Sequence, residues 1–489
     1  MRGYSTPPAA ISQRPLAGFT GQTGLGRRGS PRYFSSRSES RQKAENRLNF
    51  RSLNVIFGLF GKKNEQPEDD EELELVTFQG ALNGKSADLQ ANARLVDAVL
   101  IPTKEMVSDA LGRRAEMVKL EFKGERASTT LYVDGVAYAG QRYPKQQATA
   151  MVQMLKLLAG LDPKLKGRVQ NGGIKAEYTE LPYEILVEVS PAPEATEKVL
   201  LKSRNLKQKL TTPEELGFSA EHKLKVRELT SRKRGLVLVA GPPNSGLTTT
   251  LYGLLRSIDV YLHACYSIAD KSSRDIYNFT NFEVNPEDTF EKTLERIVRA
   301  EGDIILVNPI KDAETARVVL ERAKDVCIIA EMPAKDAASA VAQLMEWTDA
   351  GLVGRNLEGV FSAKLIRSLC VACREAFRPN SKLLAKVGLP EDTKTLYRKG
   401  EPPVDPKTGE EGDPCEKCGG VGYIGRTAML ECLEMTDEVR ALVSEGAAID
   451  QVKAKARSEG QLSFQKDGLR LVAQGKTSLE ELQRVFKGA

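Results

Sequence analysis

The sequence predicts an α/β protein built on a largely parallel sheet, with a cysteine-bearing module and a helix-rich C-terminus after it. Three features carry that expectation. Short apolar runs alternate with helix-length spacers from Gly235 to about Arg367, as right-handed βαβ crossovers require. The first run leads into Gly241-Pro242-Pro243-Asn244-Ser245-Gly246-Leu247-Thr248, which keeps both glycines and the trailing hydroxyl of the phosphate-binding pattern G-x-x-x-x-G-K-[ST]. Two C-x-x-C pairs, Cys370/Cys373 and Cys415/Cys418, then mark a separate module.

A chain of 489 residues has room for about three domains, each with its own core. A content of 41% hydrophobic and 28% charged residues, with no run of 18 apolar ones, fits a soluble globular chain without a membrane span. The net charge of +5 is unevenly spread: residues 1–54 carry nine Arg and one Lys against Glu39 and Glu45, a net +8. Taking that +8 from the +5 leaves −3 for the rest, which argues against a nucleic-acid-binding core. The tail is rich in Arg, Ser, Gly and Pro and cannot bury enough apolar surface to fold. A disordered extension or an over-called start codon is favoured there over a transit peptide of similar chemistry. The acidic run Glu68–Glu72 then reads as a solvated linker.

The first folded unit is a smaller α/β domain. Residues 73–99 are ambiguous in pattern. A helix is expected around Val107–Arg114, then strands at Met117–Phe122 and Thr129–Val133 joined through Lys123-Gly124-Glu125. Asp134-Gly135 between apolar segments signals a hairpin. A helix from about Pro144 to Ala159 ends at Gly160, and strands at Glu184–Val189 and Lys198–Lys202 complete the sheet.

In the second unit the expected strands are Leu236–Ala240, Ala264–Ile268, Ile304–Val307 and Val326–Ala330. Gly241, Pro242, Pro243, Asn244, Ser245, Gly246, Leu247, Thr248 and Thr249 are the candidate nucleotide-binding residues. In such a loop the backbone N–H groups and a helix N-terminus cradle phosphate, while a lysine bridges the β- and γ-phosphates. Here Leu247 stands where that lysine belongs.

Cys370, Cys373, Cys415 and Cys418 provide four thiolates suited to a closed, tetrahedral structural zinc site, with 41 residues between the two pairs. Reduced, metal-free thiols or a redox pair are the alternatives. The run Cys415 to Gly422 also completes one C-x-x-C-x-G-x-G unit like those of DnaJ-type chaperones, but only once. Cys265, Cys327 and Cys432 sit in apolar surroundings and read as core.

Taken together, these motifs resemble the secretion ATPases of type II secretion and type IV pilus assembly. Gly241 to Tyr252 resembles that family's GPTGSGKTTTLY; Leu155–Pro163 with Gln170–Ile174 resembles its N-terminal signature. CEKCGGVGYIGR at Cys415–Arg426 matches its zinc-module ending, and Asp467–Leu482 its C-terminal helices. The likeness covers about Val107 to the C-terminus. It implies a RecA-like P-loop NTPase domain (231–367), preceded by a PAS-like α/β domain (73–230) and the tail and linker (1–72). It further implies the zinc module (368–426), a helical C-terminal region (427–489), and a hexameric cytoplasmic ATPase at the inner-membrane assembly platform.

Against that pattern three chemical groups are missing. Besides Leu247, Pro309 falls at the catalytic glutamate of the family's DVIMVGEIRD, and Pro333 at the histidine of its STLHTND. The family's ITIEDPVE keeps Asp270 but has Ala269 for its acidic neighbour, and His222 and His263 both lie outside these motifs. The expectation is a degenerate family member acting as an assembly or regulatory subunit, with ATP and Mg²⁺ doubtful as ligands. The rivals are an ATPase using Lys271 or Lys311 in place of the lost lysine, and a zinc-dependent nucleic-acid module.

Overall fold

A computed structural model of the chain describes residues 74–207, 212–243, 245–269, 279–307, 309–402, 409 and 412–487. The expected tail and acidic linker lie outside them, as do Asn244, Asp270 and Lys271.

The first sheet contains β1 (Thr77–Ala81), β2 (Met117–Lys123), β3 (Arg126–Val133), β4 (Val136–Pro144), β5 (Gln170–Tyr178), β6 (Leu181–Pro191) and β7 (Glu197–Asn205). Its order is β1-β5-β6-β7-β2-β3-β4, antiparallel throughout. Helices Ala93–Gly112 and Lys145–Leu158 cover one face, burying Met106, Leu111, Met151 and Leu155 against Leu120, Leu131 and Ile185. Val133 pairs with Val136 across the expected tight turn, where Asp134 and Gly135 both take positive φ.

Two elements here were hidden in the sequence. The expected helix at Val107–Arg114 is the end of a 20-residue helix with Pro102 inside it, and a proline ordinarily reads as a break. β5 carries Gly172 and Gly173, which weaken a strand signal. Packing explains them: a Cβ on Gly172 would lie 2.7 Å from the Ala159 carbonyl oxygen, and one on Gly173 would strike Leu82. The lysine of the Leu155–Pro163 signature also has a structural role. Lys156 is fully buried, and its Nζ donates to Glu197 at 2.6 Å and to the Leu165 carbonyl at 2.7 Å.

The second sheet contains β8 (Gly235–Gly241), β9 (Cys265–Ser267), β10 (Thr280–Asn281), β11 (Ile304–Leu306), β12 (Cys327–Pro333), β13 (Leu357–Leu369) and β16 (Tyr423–Glu434). A small separate ribbon pairs β14 (Glu375–Phe377) with β15 (Leu396–Arg398). The large sheet runs β10-β9-β11-β12-β8-β13-β16, parallel except for the β13–β16 pair. This is a RecA-like parallel sheet, and every residue of β8 is buried. Leu236, Leu238 and Ala240 face one core with helices Ala313–Arg322 and Ala337–Trp347, while Val237 and Val239 face another with helix Leu247–Ser257.

Three expected boundaries shift. Residues 212–231 belong by packing to the second sheet, because Leu216, Phe218, Val226 and Leu229 share a core with Val237 and Val239. The boundary at 367/368 cuts β13, and that at 426/427 cuts β16. These two strands pair from Gly359/Glu434 to Leu369/Tyr423, so the cysteine module is an insertion between adjacent strands, and the expected helical C-terminal region opens with a strand.

Glu431 of β16 lies opposite Ser362 of β13 and accepts a bond from the Ala337 backbone N–H at 3.0 Å. Burial pushes its carboxyl up to about 7.

Removing one partner of the Lys156–Glu197 pair strands a buried charge. Lys156→Met should cost about 3–5 kcal/mol in urea unfolding, and adding Glu197→Leu should recover most of that loss. For Glu431 the folded chain holds a proton that the unfolded chain releases above about pH 4.3. Stability should therefore fall as pH rises from that value to about 7 and level off above it. Melting curves of Glu431→Gln across the same range should lack this slope.

Candidate functional site

The phosphate-loop residues lie at the C-terminal end of β8, where ligands bind in open parallel sheets. The Ser245 N–H donates to the Pro242 carbonyl at 3.2 Å, and Gly246, at φ +83°, turns the chain into helix Leu247–Ser257. The left-handed conformation at Gly246 is one that a glycine takes without strain. Thr250 N–H closes the first helical turn onto Gly246. Thr248 is exposed and Thr249 half-buried, whereas Pro243 is exposed beside a half-buried Pro242. Leu247 turns inward. It packs on the apolar core under the helix, and its Cδ1 lies 3.7 Å from where a Cβ on Gly241 would sit.

Of the other two positions, Pro333 is paired beside this loop, and Pro309 lies one strand further out. Pro333 ends β12 directly opposite Gly241, and the Ala334 N–H donates to the Gly241 carbonyl at 3.2 Å. Pro309 follows β11, and the next residue, Ile310, donates its N–H to the Glu331 carbonyl at 2.9 Å. Asp303, by contrast, lies at the far end of β11, bonded to Lys233 at 3.1 Å and to the Ala264 N–H at 3.0 Å. It takes no part in the loop region. His222 is a buried cap residue, bonded reciprocally with Ser219 at the start of helix Ala220–Ser231.

Glu331 is the site residue that sequence reasoning passed over. Its signal was a single charge in the apolar run Cys327–Met332. In register with Val239, it stands on the face of the sheet that carries the loop helix. Burial raises its carboxyl above the ordinary range, while the Thr248 hydroxyl and the Lys311 ammonium pull it back down. Its Oε2 is buried and finds no hydrogen-bond partner among the described residues.

The four predicted cysteines converge. Their Sγ atoms all lie within 4.8 Å of one another, with Cys370–Cys415 at 3.9 Å and Cys373–Cys418 at 3.7 Å. Tetrahedral thiolates at about 2.3 Å from a zinc ion would be about 3.8 Å apart, so the arrangement can hold a metal ion of that kind. The knuckles are built by the backbone: Arg374 N–H returns to the Cys370 carbonyl at 2.9 Å, and Gly419 N–H to that of Cys415 at 2.8 Å. Gly422 N–H donates to Cys418 Sγ at 3.2 Å, and Cys370 N–H to the Gly422 carbonyl at 2.9 Å. A Cβ on Gly400 would collide with the Cys373 carbonyl, so the insertion also closes tightly over this knuckle. Cys265, Cys327 and Cys432 are buried in the core, and burial holds the first two thiols up at about 11 and about 12.

No helix among the described residues is long and apolar enough to cross a membrane. Residues 93–484 match the family model described as Type II/IV secretion system protein. The type IV pilus assembly ATPase PilB of Thermus thermophilus is 29% identical over 387 residues, covering 78% of this chain and 42% of that protein. The type II secretion system protein HxcR of Pseudomonas aeruginosa is 29% identical over 344 residues, covering 70% of this chain and 67% of the relative. The ATPase DotB of Legionella pneumophila is a similar solved structure at 14% identity and a TM-score of 0.48, covering 80% of this chain and 96% of that one. With the matched segment running from the helix before β2 to the last described helix, the chain belongs to the type II/IV secretion system protein family.

Proposed function

We propose that this chain is a non-hydrolysing member of its family, an assembly or regulatory subunit of a type II secretion or type IV pilus-like machine. It would work on the cytoplasmic side of the inner membrane, joining its platform proteins as a hexamer of its own copies or with active relatives. The observation that carries this reading is the loop itself: Leu247 is half-buried against the core under its helix, Pro333 ends the adjacent strand β12, and Pro309 follows β11, one strand further out. Phosphoryl transfer rests on positioning and charge neutralisation. A positioned base contributes about 10²–10⁴-fold and a lost electrostatic donor about 10²–10³-fold. These terms do not add simply, yet any one of them is enough to bring a modest ATPase near background. Thr248 remains, as do loop N–H groups, but the side chains present do not fit a nucleotide triphosphate: Leu247 is apolar where the phosphate charge needs a cation.

The cysteines fit structural zinc. Cys370 directly follows β13, and Cys415 and Cys418 shortly precede β16, so one ion would tie together the strand ends from which the insertion springs. When bound, zinc supplies cross-linking here and no open coordination position.

A second reading keeps ATPase activity with Lys311 in place of the lost lysine, favoured by that ammonium's influence on Glu331 beside Thr248. The two readings separate on turnover by the purified full chain. The expected ATP hydrolysis is on the order of 10²-fold or more below an active relative, and unaffected by Lys311→Met. A rate on the relatives' scale that Thr248→Ala abolishes would overturn the non-hydrolysing reading, and loss of that rate in Lys311→Met would establish the second. For the metal, elemental analysis should find one zinc per chain, and chelation or Cys415→Ser should lower the melting temperature. Purified chain without zinc, equally stable with a chelator, would refute the metal site.

A further inference from the structure

The four thiols of the cysteine module are not alike. Cys370 and Cys418 are buried, at 1% and 4% exposure, whereas Cys373 and Cys415 are half-buried. The buried pair is tied to the sheet. Cys370 directly follows β13 and donates its N–H to the Gly422 carbonyl, and Cys418 Sγ accepts the Gly422 N–H just ahead of β16. The half-buried pair lines a cavity of about 110 Å³ that opens to solvent, and the buried pair does not. Glu401 and Asp413 also line it, both exposed, and Gly400 and Gly420 put no side chain into it. A space of that size has room for a divalent ion with several of its waters.

We propose that this cavity is the port through which the module's metal ion exchanges, with Cys373 and Cys415 the thiolates that give way and Cys370 and Cys418 the pair that stays. The proposal rests on the zinc reading above and adds which side of the site is labile. A closed four-thiolate site has no vacant position, so an incoming donor must displace one thiolate at a time. The donor's lone pair takes that thiolate's place on the ion, and the freed thiolate takes a proton from water. Only on the cavity side is there space for the donor to approach. Glu401 and Asp413 give the mouth a negative charge, which draws a divalent cation in and repels an anionic chelator. Both carboxylates are exposed, so salt should screen their effect.

Limited alkylation of the zinc-loaded full chain with N-ethylmaleimide, mapping the singly labelled species by peptide mass spectrometry, tests which side opens. Label on Cys373 and Cys415 should exceed that on Cys370 and Cys418 by about tenfold or more. The second measurement is the rate of zinc release to an anionic chelator, EDTA, against that to a neutral one, TPEN. Glu401→Gln combined with Asp413→Asn should raise the EDTA-to-TPEN rate ratio several-fold at low salt. At about 1 M salt, where the Debye length is about 3 Å, that gain should disappear. Circular dichroism and retained zinc check that the double variant folds, and the labelling needs no variant at all. Zinc-loaded chain labelled first at Cys370 or Cys418, or a rate ratio that the double variant leaves unchanged, would overturn the port while leaving the zinc reading intact. Purified chain without zinc would sink both.

Discussion

Everything at the candidate site depends on one constraint, the burial of β8 along its whole length between β12 and β13. A strand enclosed on both edges and both faces can end only at the sheet's rim, so its exit turn has little freedom. Gly246 takes the left-handed conformation that the turn needs, and the helix that follows must lay Leu251, Leu254 and Leu255 on Val237 and Val239. This packing is indifferent to phosphate. A loop of this shape therefore persists on apolar contacts alone, and Leu247 adds to them.

The cysteine insertion meets a related constraint at the edge of the same sheet. β13 and β16 pair antiparallel over their length, yet the chain leaves the sheet after Leu369 and returns at Tyr423. Long loops carry only a slowly growing closure cost, but their ends still need fixing. The four thiols sit at those ends, and backbone bonds such as Cys370 N–H to Gly422 carry the strand pairing into the knuckle. Arg374 stacks on Tyr397 of β15 at 4.4 Å and donates to the Gly475 carbonyl, tying the insertion to the C-terminal helices as well.

The parallel strands could be read in the sequence because a strand buried on both faces is a continuous apolar run, and Leu236–Ala240, Ile304–Val307 and Val326–Ala330 are such runs. The hairpin could be read because Asp134-Gly135 has one good conformational use. Helix Ala93–Gly112 was obscured by Pro102, and β5 by glycines whose purpose is a close approach from Ala159 and Leu82. Such contacts join residues distant in sequence, and no local pattern reports them. The site divides the same way. The loop and the cysteine pairs are local spacings. Glu331 acquires meaning only when β12 is laid beside β8, because a single charge in an apolar run is silent about which loop it will face.

That difference bears on what the loop can attract. Leu247, Pro309 and Pro333 are apolar and offer phosphate no charge, while the turn at Gly246 keeps its shape. An anion at a helix N-terminus is favourable in itself, so the loop's N–H groups and dipole are satisfied to the extent that a carboxylate is near them. A site lacking only its lysine would remain a weak anion trap, open to any phosphate at millimolar concentration. In this chain Thr248 and the turn at Gly246 keep the shape of such a trap, while Leu247 presents it with an apolar side chain.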